Sequence, residues 1–548
     1  MSSSRSHPHV PDLTEHVEID PLEWRWVFFA SSVVLLLAVL PFVWAYAYAS
    51  ASGLTFMGSL NNPIDGASYL AKMRQGFAGN WLLHLPYTPE EHRGVFLYTF
   101  YLGLGQLARL LALPLVLVYH TIRLLGTLLM CLMLYQFVAH WTTNSGQRRL
   151  AWGLAMFSTG GGWLMLFLSA SNAGLATPDL LTLPEAFPFQ AAYTNAHFPW
   201  ALAIGLWMAH ALITVCLRHP AHWPTLDGWS AGLAVSVIVM VGIAPQMLIP
   251  IAAGYGLMCI MLWVQSGKLP RRELNWGLLV VVFGLPLVIY NLWAISSANP
   301  IIQAWQTQNI ALSPPVWKYL VAFGPLLFLA LIGLWGIRKQ LQMADYFLIG
   351  WLASVTVMLY APVALQRRFT IGLTVPLSIL AGVGLWRVII PAIGERWRAL
   401  MLAITMCMVI PTTIFAIVIP LVGTVQVSEV SYYFLSRDET KNLEWLSSHA
   451  KPDEVVLASP GVSLFVPIYG PRVVYGHPFE TVNAVARRDS VLRYYAGEEC
   501  DLVEREGVDY IMVGPEERLL MDGKALCPLP GSPVFSAGEV DIYAVSSQ

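Results

Sequence analysis

Asp65 and the adjacent pair Arg367 and Arg368 are the residues whose types and placement could do chemistry. Asp65 is the only acidic residue between Glu23 and Glu90, and it stands in a Pro-Ile-Asp-Gly turn just after the first long apolar segment. A carboxylate there can take a proton from an attacking hydroxyl. It can equally cap the helix that follows, because Asp is a favoured N-cap residue. That helix is predicted over Ala67 to Phe77. Tyr69, Leu70, Met73 and Phe77 fall on one side, and Lys72, Arg74 and Gln75 on the other. A short amphipathic helix after a membrane span lies in the headgroup plane with its apolar side down and its cations solvated.

Arg367 and Arg368 lie between two apolar segments. Guanidinium groups bind phosphate oxygens bidentately and stay charged, so the pair suits a phosphate; anchoring to lipid headgroups is the plainer use. Arg123 sits inside an apolar segment, where an arginine faces a partner or a polar cavity. Glu185, Asn195 and His197 cluster in one loop just before a span. They could face a substrate or simply end a helix at the interface. No HExxH or CxxC spacing occurs, so no dedicated zinc site is expected.

The elements that must position these residues are mostly membrane spans. The chain has 548 residues, 56% of them hydrophobic and only 12% charged, and its mean hydropathy is +0.59. That composition specifies a polytopic membrane protein. Charge is concentrated at the C-terminal end, where residues 429–548 hold 10 basic and 19 acidic side chains, a net of −9. The rest carries 21 basic and 14 acidic, a net of +7. A membrane domain followed by an acidic soluble one is the expected organisation. No basic tract points to nucleic acid. Cys500 and Cys527 are the only cysteines in the soluble part, either a disulfide or two unrelated thiols.

About eleven spans are expected, beginning with Trp26 to Ala49. Phe96 to Leu111 is short, contains Gln106 and Arg109, and is assigned to the interface. With that assignment the basic clusters near residues 148, 271, 338 and 396 fall on the side of the N-terminus, as the positive-inside rule requires. The expected layout is a cytoplasmic tail over residues 1–24, a transmembrane domain over 25–425 and an extracytoplasmic α/β domain over 426–548. The first external loop covers 50–114 and the second 170–199. In the α/β domain, strands are predicted at Glu454 to Ala458, Val473 to Tyr475 and Tyr510 to Gly514, with helices at Asp438 to His449 and Thr481 to Tyr495.

Asp65-Gly-Ala-Ser-Tyr69, then Gly76 to Trp81, then Phe96-Leu-Tyr-Thr-Phe-Tyr101 resemble the first external loop of the GT-C superfamily. These integral-membrane glycosyltransferases use polyprenyl-phosphate sugars and include protein O-mannosyltransferases, aminoarabinose transferases and oligosaccharyltransferases. The resemblance implies a multi-span helical fold with interfacial helices in the first external loop and a C-terminal extracytoplasmic domain. It implies a sugar moved from a polyprenyl-phosphate donor to the hydroxyl of a glycan, lipid or protein acceptor, with inversion, at the outer face of the plasma (inner) membrane. Asp65 matches the essential acid and would be the general base; Arg367, Arg368 and Arg123 would hold the donor phosphate. Tyr69, Glu185, Asn195 and His197 would orient sugar or acceptor. A divalent metal, Mg or Mn, is allowed but not required. This loop has a single Asp where several families have Asp-Glu, which leaves a non-catalytic GT-C scaffold open. A carrier or flippase for a lipid-linked or amphiphilic substrate is the other reading, suggested by the number of spans and by helix breakers such as Gly160-Gly161-Gly162 and Gly284 with Pro286.

Overall fold

The computed structural model describes residues 19–164, 183–218, 223–224, 227–425, 432–521 and 527–545. Most of the expected cytoplasmic tail, the last five residues of the span expected at Leu150 to Ser169, and much of the second external loop, including Asp179, lie outside the described residues.

Eight described helices are long and apolar enough to cross a membrane. The first, α1 (Pro21–Ala51), starts at Asp20, whose side chain accepts the Leu22 N–H at 2.7 Å and satisfies one of the free donors of the first turn. Gly228–Ile243 and Met343–Met358 are apolar but shorter, so among the described residues a count of eleven spans is not reached on length alone. The stretch Gln366–Ile393 is mostly buried within the bundle, whereas Arg271–Ser296 presents most of its surface outward. Leu, Val and Ile on every side of a helix suit a position surrounded by protein or lipid. The heart of the bundle is therefore the element that begins with Arg367 and Arg368.

Between α1 and the second spanning helix, the chain forms two short helices. The first, α2 (Pro63–Phe77), starts four residues earlier than predicted, so Asp65 lies in its first turn and Asn62 takes the cap position. The second, α3 (Thr99–Leu111), has 13 residues and is too short to span, as assigned from sequence. These two pack closely through glycines. A Cβ on Gly105 would stand 2.0 Å from the Met73 carbonyl oxygen, and one on Gly76 would stand 2.0 Å from that of Leu102. The next helix, α4 (Leu115–Val138), carries Arg123.

The C-terminal part holds a five-stranded sheet. Of the three parallel strands, β3 (Val455–Leu457) and β5 (Tyr510–Val513) follow the sequence expectation closely, whereas β4 (Arg472–Val473) shares only Val473 with the strand expected at Val473 to Tyr475. A hairpin of β6 (Phe535–Ala537) and β7 (Val540–Ala544) adds an antiparallel edge, giving the order β4-β3-β5-β7-β6. Helix Arg437–His449 is closed by a reciprocal Ser436 and Glu439 capping box.

Two features bind the C-terminal part to the first loop. Strand β1 (Leu54–Phe56), just after α1, pairs antiparallel with β2 (Phe434–Ser436). One apolar cluster also runs from Met57, Ala67, Ala71 and Tyr87 into Leu443, Val456, Phe465 and Val466. The solvated polar face expected for α2 is therefore wrong at Lys72, which has no exposure and is covered by the C-terminal part. Sequence periodicity identifies the two faces of a helix but not what covers them.

Candidate active site

A cavity of about 660 Å³ opens between the first loop, the start of Gln366–Ile393 and the C-terminal part. Asp65, Tyr69, Glu185, His197, Arg367 and Arg368 all line it. The sequence places these residues up to 303 positions apart, and the fold brings them to one surface.

Asp65 comes from the first turn of α2. Its side chain is 38% exposed, into the cavity, and Oδ2 accepts Asn62 Nδ2 at 2.5 Å. Asn62 adopts a left-handed conformation with φ 60°, which Asn tolerates better than most residues. Tyr98, another lining residue, does the same at φ 53°, a rarer state for a bulky side chain and a form of strain that collects at functional sites. Burial pushes the Asp65 carboxyl up, but His477, Asn62 and the Arg368 charge outweigh it. Asp65 is held below the usual carboxylate range.

Glu185 is oriented by its backbone: its carbonyl accepts the Gly372 N–H at 2.9 Å, and the Thr374 hydroxyl reaches the Ala186 carbonyl at 2.7 Å. Gly372 has φ 68°, and a Cβ there would also press on Trp351 at 3.0 Å, so the turn that seats the arginine segment against Glu185 requires glycine. Burial raises the Glu185 carboxyl above its ordinary value, and the Arg367 and Arg368 charges only partly offset it. Asp65 and Glu185, two of the carboxyl groups on this cavity, are thus displaced in opposite directions by their surroundings.

Tyr69 stacks on Tyr101 at 4.2 Å, and the Tyr101 hydroxyl meets His197 Nδ1 at 2.7 Å. Arg368 Nη2 donates to Asn309 Oδ1 at 3.4 Å, a long bond that leaves most of its donors available to the cavity. Among the described residues, no group of three or more His, Cys, Asp or Glu is arranged to hold a metal.

Two of the sequence candidates lie away from the cavity wall. Asn195 is buried, with Oδ1 accepting from the Tyr119 hydroxyl at 3.2 Å. Arg123 is also buried, donating to the carbonyls of Ala192 and Ala38 and lying 4.5 Å over the Phe42 ring. It joins α1, α4 and the short helix Pro188–Tyr193. An arginine spent on two backbone carbonyls supports the wall and has little left for a ligand.

The sequence reading missed His477, Phe479 and Glu480, which reach the cavity from the turn after β4. Lys72 Nζ pairs with Glu480 Oε1 at 2.6 Å, and Ser68 donates to the same oxygen at 2.5 Å. Burial pushes the Glu480 carboxyl up, and the Lys72 ammonium beside it, with the Ser68 hydroxyl, pulls it below the ordinary range. The available signal was topological: ligands in open α/β sheets sit outside the carboxyl ends of strands, and this turn follows such an end.

A second, mainly apolar groove of about 330 Å³ adjoins the cavity and shares Leu97, Tyr98, Phe100 and Asn291 with it. Ile238, Val239 and Leu287 continue its wall along Gly228–Ile243 and Arg271–Ser296.

No family model matches the sequence, and no curated protein matches it. Among solved structures, the Archaeoglobus fulgidus oligosaccharyltransferase tethered to an acceptor peptide with the NVT sequon aligns with a TM-score of 0.56 at 12% identity. The alignment covers 91% of this chain and 71% of that one. ArnT from Cupriavidus metallidurans bound to undecaprenyl phosphate aligns with a TM-score of 0.50 at 15% identity, over 96% and 98% of the two chains. At these identities the likeness establishes architecture: the chain is a multi-pass helical membrane protein with the GT-C fold and a small C-terminal sheet region.

Proposed function

We propose that the protein is a membrane glycosyltransferase that moves a sugar from a polyprenyl-phosphate donor to an acceptor hydroxyl. The observation that carries this reading is the shared cavity: a carboxylate held in its ionised form and two guanidinium groups line one space on a GT-C fold. Asp65 takes the acceptor proton as the acceptor oxygen forms a bond to the anomeric carbon. The bond from that carbon to the phosphate oxygen breaks, and the electron pair leaves with the lipid phosphate. Arg367 and Arg368 neutralise the charge that develops there. A single displacement of this kind inverts the anomeric centre. Glu185, on the same cavity, orients sugar or acceptor, and Tyr69 with His197 shapes the same wall. The adjoining apolar groove suits the polyprenyl chain, since it continues from the cavity between two membrane helices.

The active face is assigned to the extracytoplasmic side. Cys500 and Cys527 are bonded to each other, and disulfides persist in oxidising compartments. Fold analogues bound to undecaprenyl phosphate or tethered to an acceptor peptide support the donor class and the presence of an acceptor. The test is sugar release or transfer by purified protein from a panel of synthetic polyprenyl-phosphate sugars, comparing wild type with Asp65→Asn. Turnover that needs Asp65 is the expected result. Failure of wild type to bind any donor in the panel overturns the reading.

A further inference from the structure

His477 lies in the turn Gly476 to Thr481, beyond β4 in the chain and 412 residues from Asp65. The turn is closed by its own backbone: the Thr481 N–H donates to the His477 carbonyl at 3.0 Å, and the His477 N–H donates to Thr481 Oγ1 at 3.1 Å. The imidazole is 1% exposed and rests against Tyr87, with ring centroids 5.3 Å apart. Its Nδ1 accepts two backbone N–H groups, from Phe479 and from Glu480, each at 3.1 Å. A ring nitrogen that accepts two N–H donors carries no proton, so the ring proton resides on Nε2.

Among the described residues Nε2 has no hydrogen-bond partner within bonding distance, yet it is buried and stands 3.6 Å from Asp65 Oδ1. That separation is just beyond a hydrogen bond. Catalytic contacts are often loose before substrate arrives and tighten when it binds. The two oxygens of Asp65 are thus addressed by two donors of fixed polarity, Asn62 on Oδ2 and His477 on Oδ1.

We propose that His477 is a positioning residue for Asp65: its Nε2–H engages Oδ1 in the loaded enzyme and fixes the carboxylate plane, leaving the free lone pairs toward the acceptor. The inference rests on the reading of Asp65 as general base. It makes the C-terminal part a component of the catalytic apparatus, because among the described residues the membrane bundle brings no donor to Oδ1. The proton taken from the acceptor stays on Asp65, and His477 neither gains nor loses one.

Two isosteres divide the two nitrogens of His477. Gln places an amide N–H near the Nε2 position, and Asn places an acceptor near Nδ1. In full-length protein with the donor that wild type turns over, His477→Gln is expected to keep kcat within about threefold. His477→Asn should lower kcat about 10- to 100-fold with little change in donor KM, the cost of one hydrogen bond to a charged group. A fully active His477→Asn beside a dead His477→Gln would mean that the ring only builds the turn, and would overturn the proposal.

A readout independent of turnover covers loss in both variants. In histidine-¹⁵N-labelled protein in liposomes with the donor bound, the signals that vanish in His477→Asn should be a protonated Nε2 and an unprotonated Nδ1, and the Nε2 signal should shift in Asp65→Ala. An Nε2 signal indifferent to Asp65→Ala overturns the inference. An active Asp65→Asn protein with that shift intact instead overturns the general-base reading, and an inactive Asp65→Asn beside a fully active His477→Asn overturns this inference alone.

Discussion

Lys72 and Glu480, 408 residues apart in the chain, form an ion pair at 2.6 Å in which the lysine has no solvent exposure. The same ammonium lies 4.4 Å over the Tyr98 ring, and Ser68 shares the Glu480 oxygen. This pair ties α2, and with it Asp65, to the turn that carries His477. Removing one partner leaves a buried charge uncompensated, which costs about 3–5 kcal/mol, whereas replacing both is far milder. Lys72→Met should therefore lower the thermal midpoint sharply, and Lys72→Met with Glu480→Gln should recover most of the loss. Thermal unfolding in detergent measures both; equal midpoints for the single and double variants would show that the pair contributes little.

Asp65→Asn should reduce transfer by about 10²- to 10⁴-fold, the range for loss of a general base. Its midpoint should stay near wild type, because Asn is close in size.

The pH profile follows from the direction of the Asp65 shift. With the carboxyl held below its ordinary value by His477, Asn62 and Arg368 against the effect of burial, the base stays ionised down to unusually acidic pH. The acid limb of kcat/KM should fall below the usual Asp range, and activity should be lost only as pH drops through that lowered value. An acid limb near pH 6 would point to a different group.

Arg367→Gln and Arg368→Gln should each raise donor KM about tenfold or more, with acceptor KM little changed, since each removes a charge-assisted bond to phosphate. Equal effects on the two substrates would argue against a phosphate role. Arg123→Gln should act on stability rather than on donor KM, because its guanidinium is already committed to the carbonyls of Ala192 and Ala38.

Glu516 offers a stability test away from the cavity. Burial and the neighbouring Glu517 push its carboxyl up to about 7, against 4.5 for a free one. Between those values the folded state binds more protons than the unfolded chain, so this group makes stability fall as pH rises from about 4.5 to about 7. Glu516→Gln should flatten that part of the thermal midpoint against pH. An unchanged slope would remove Glu516 as its source.

By itself the sequence determined the things that hydropathy and local turn chemistry encode. A run of apolar residues long enough to cross a bilayer has few other places to go, so a polytopic chain, a non-spanning Phe96 to Leu111 and an acidic C-terminal sheet with three of its strands were readable residue by residue. Asp65 at the head of a short amphipathic helix and the arginine pair at a helix mouth were readable for the same reason. The total of spans was less so, because Gly228–Ile243 and Met343–Met358 are shorter than a bilayer crossing requires of a straight helix. What only the tertiary structure decided was which groups meet. Lys72 reads as a solvated cation and is buried against Glu480, Arg123 reads as a ligand for phosphate and braces backbone carbonyls, and Asn195 faces Tyr119 instead of the cavity. His477 carries no local signal, since its chemistry comes from two backbone N–H groups on one nitrogen and a carboxylate 412 positions away near the other. Partner choice of that kind is set by chain topology and packing, which a one-dimensional pattern does not contain.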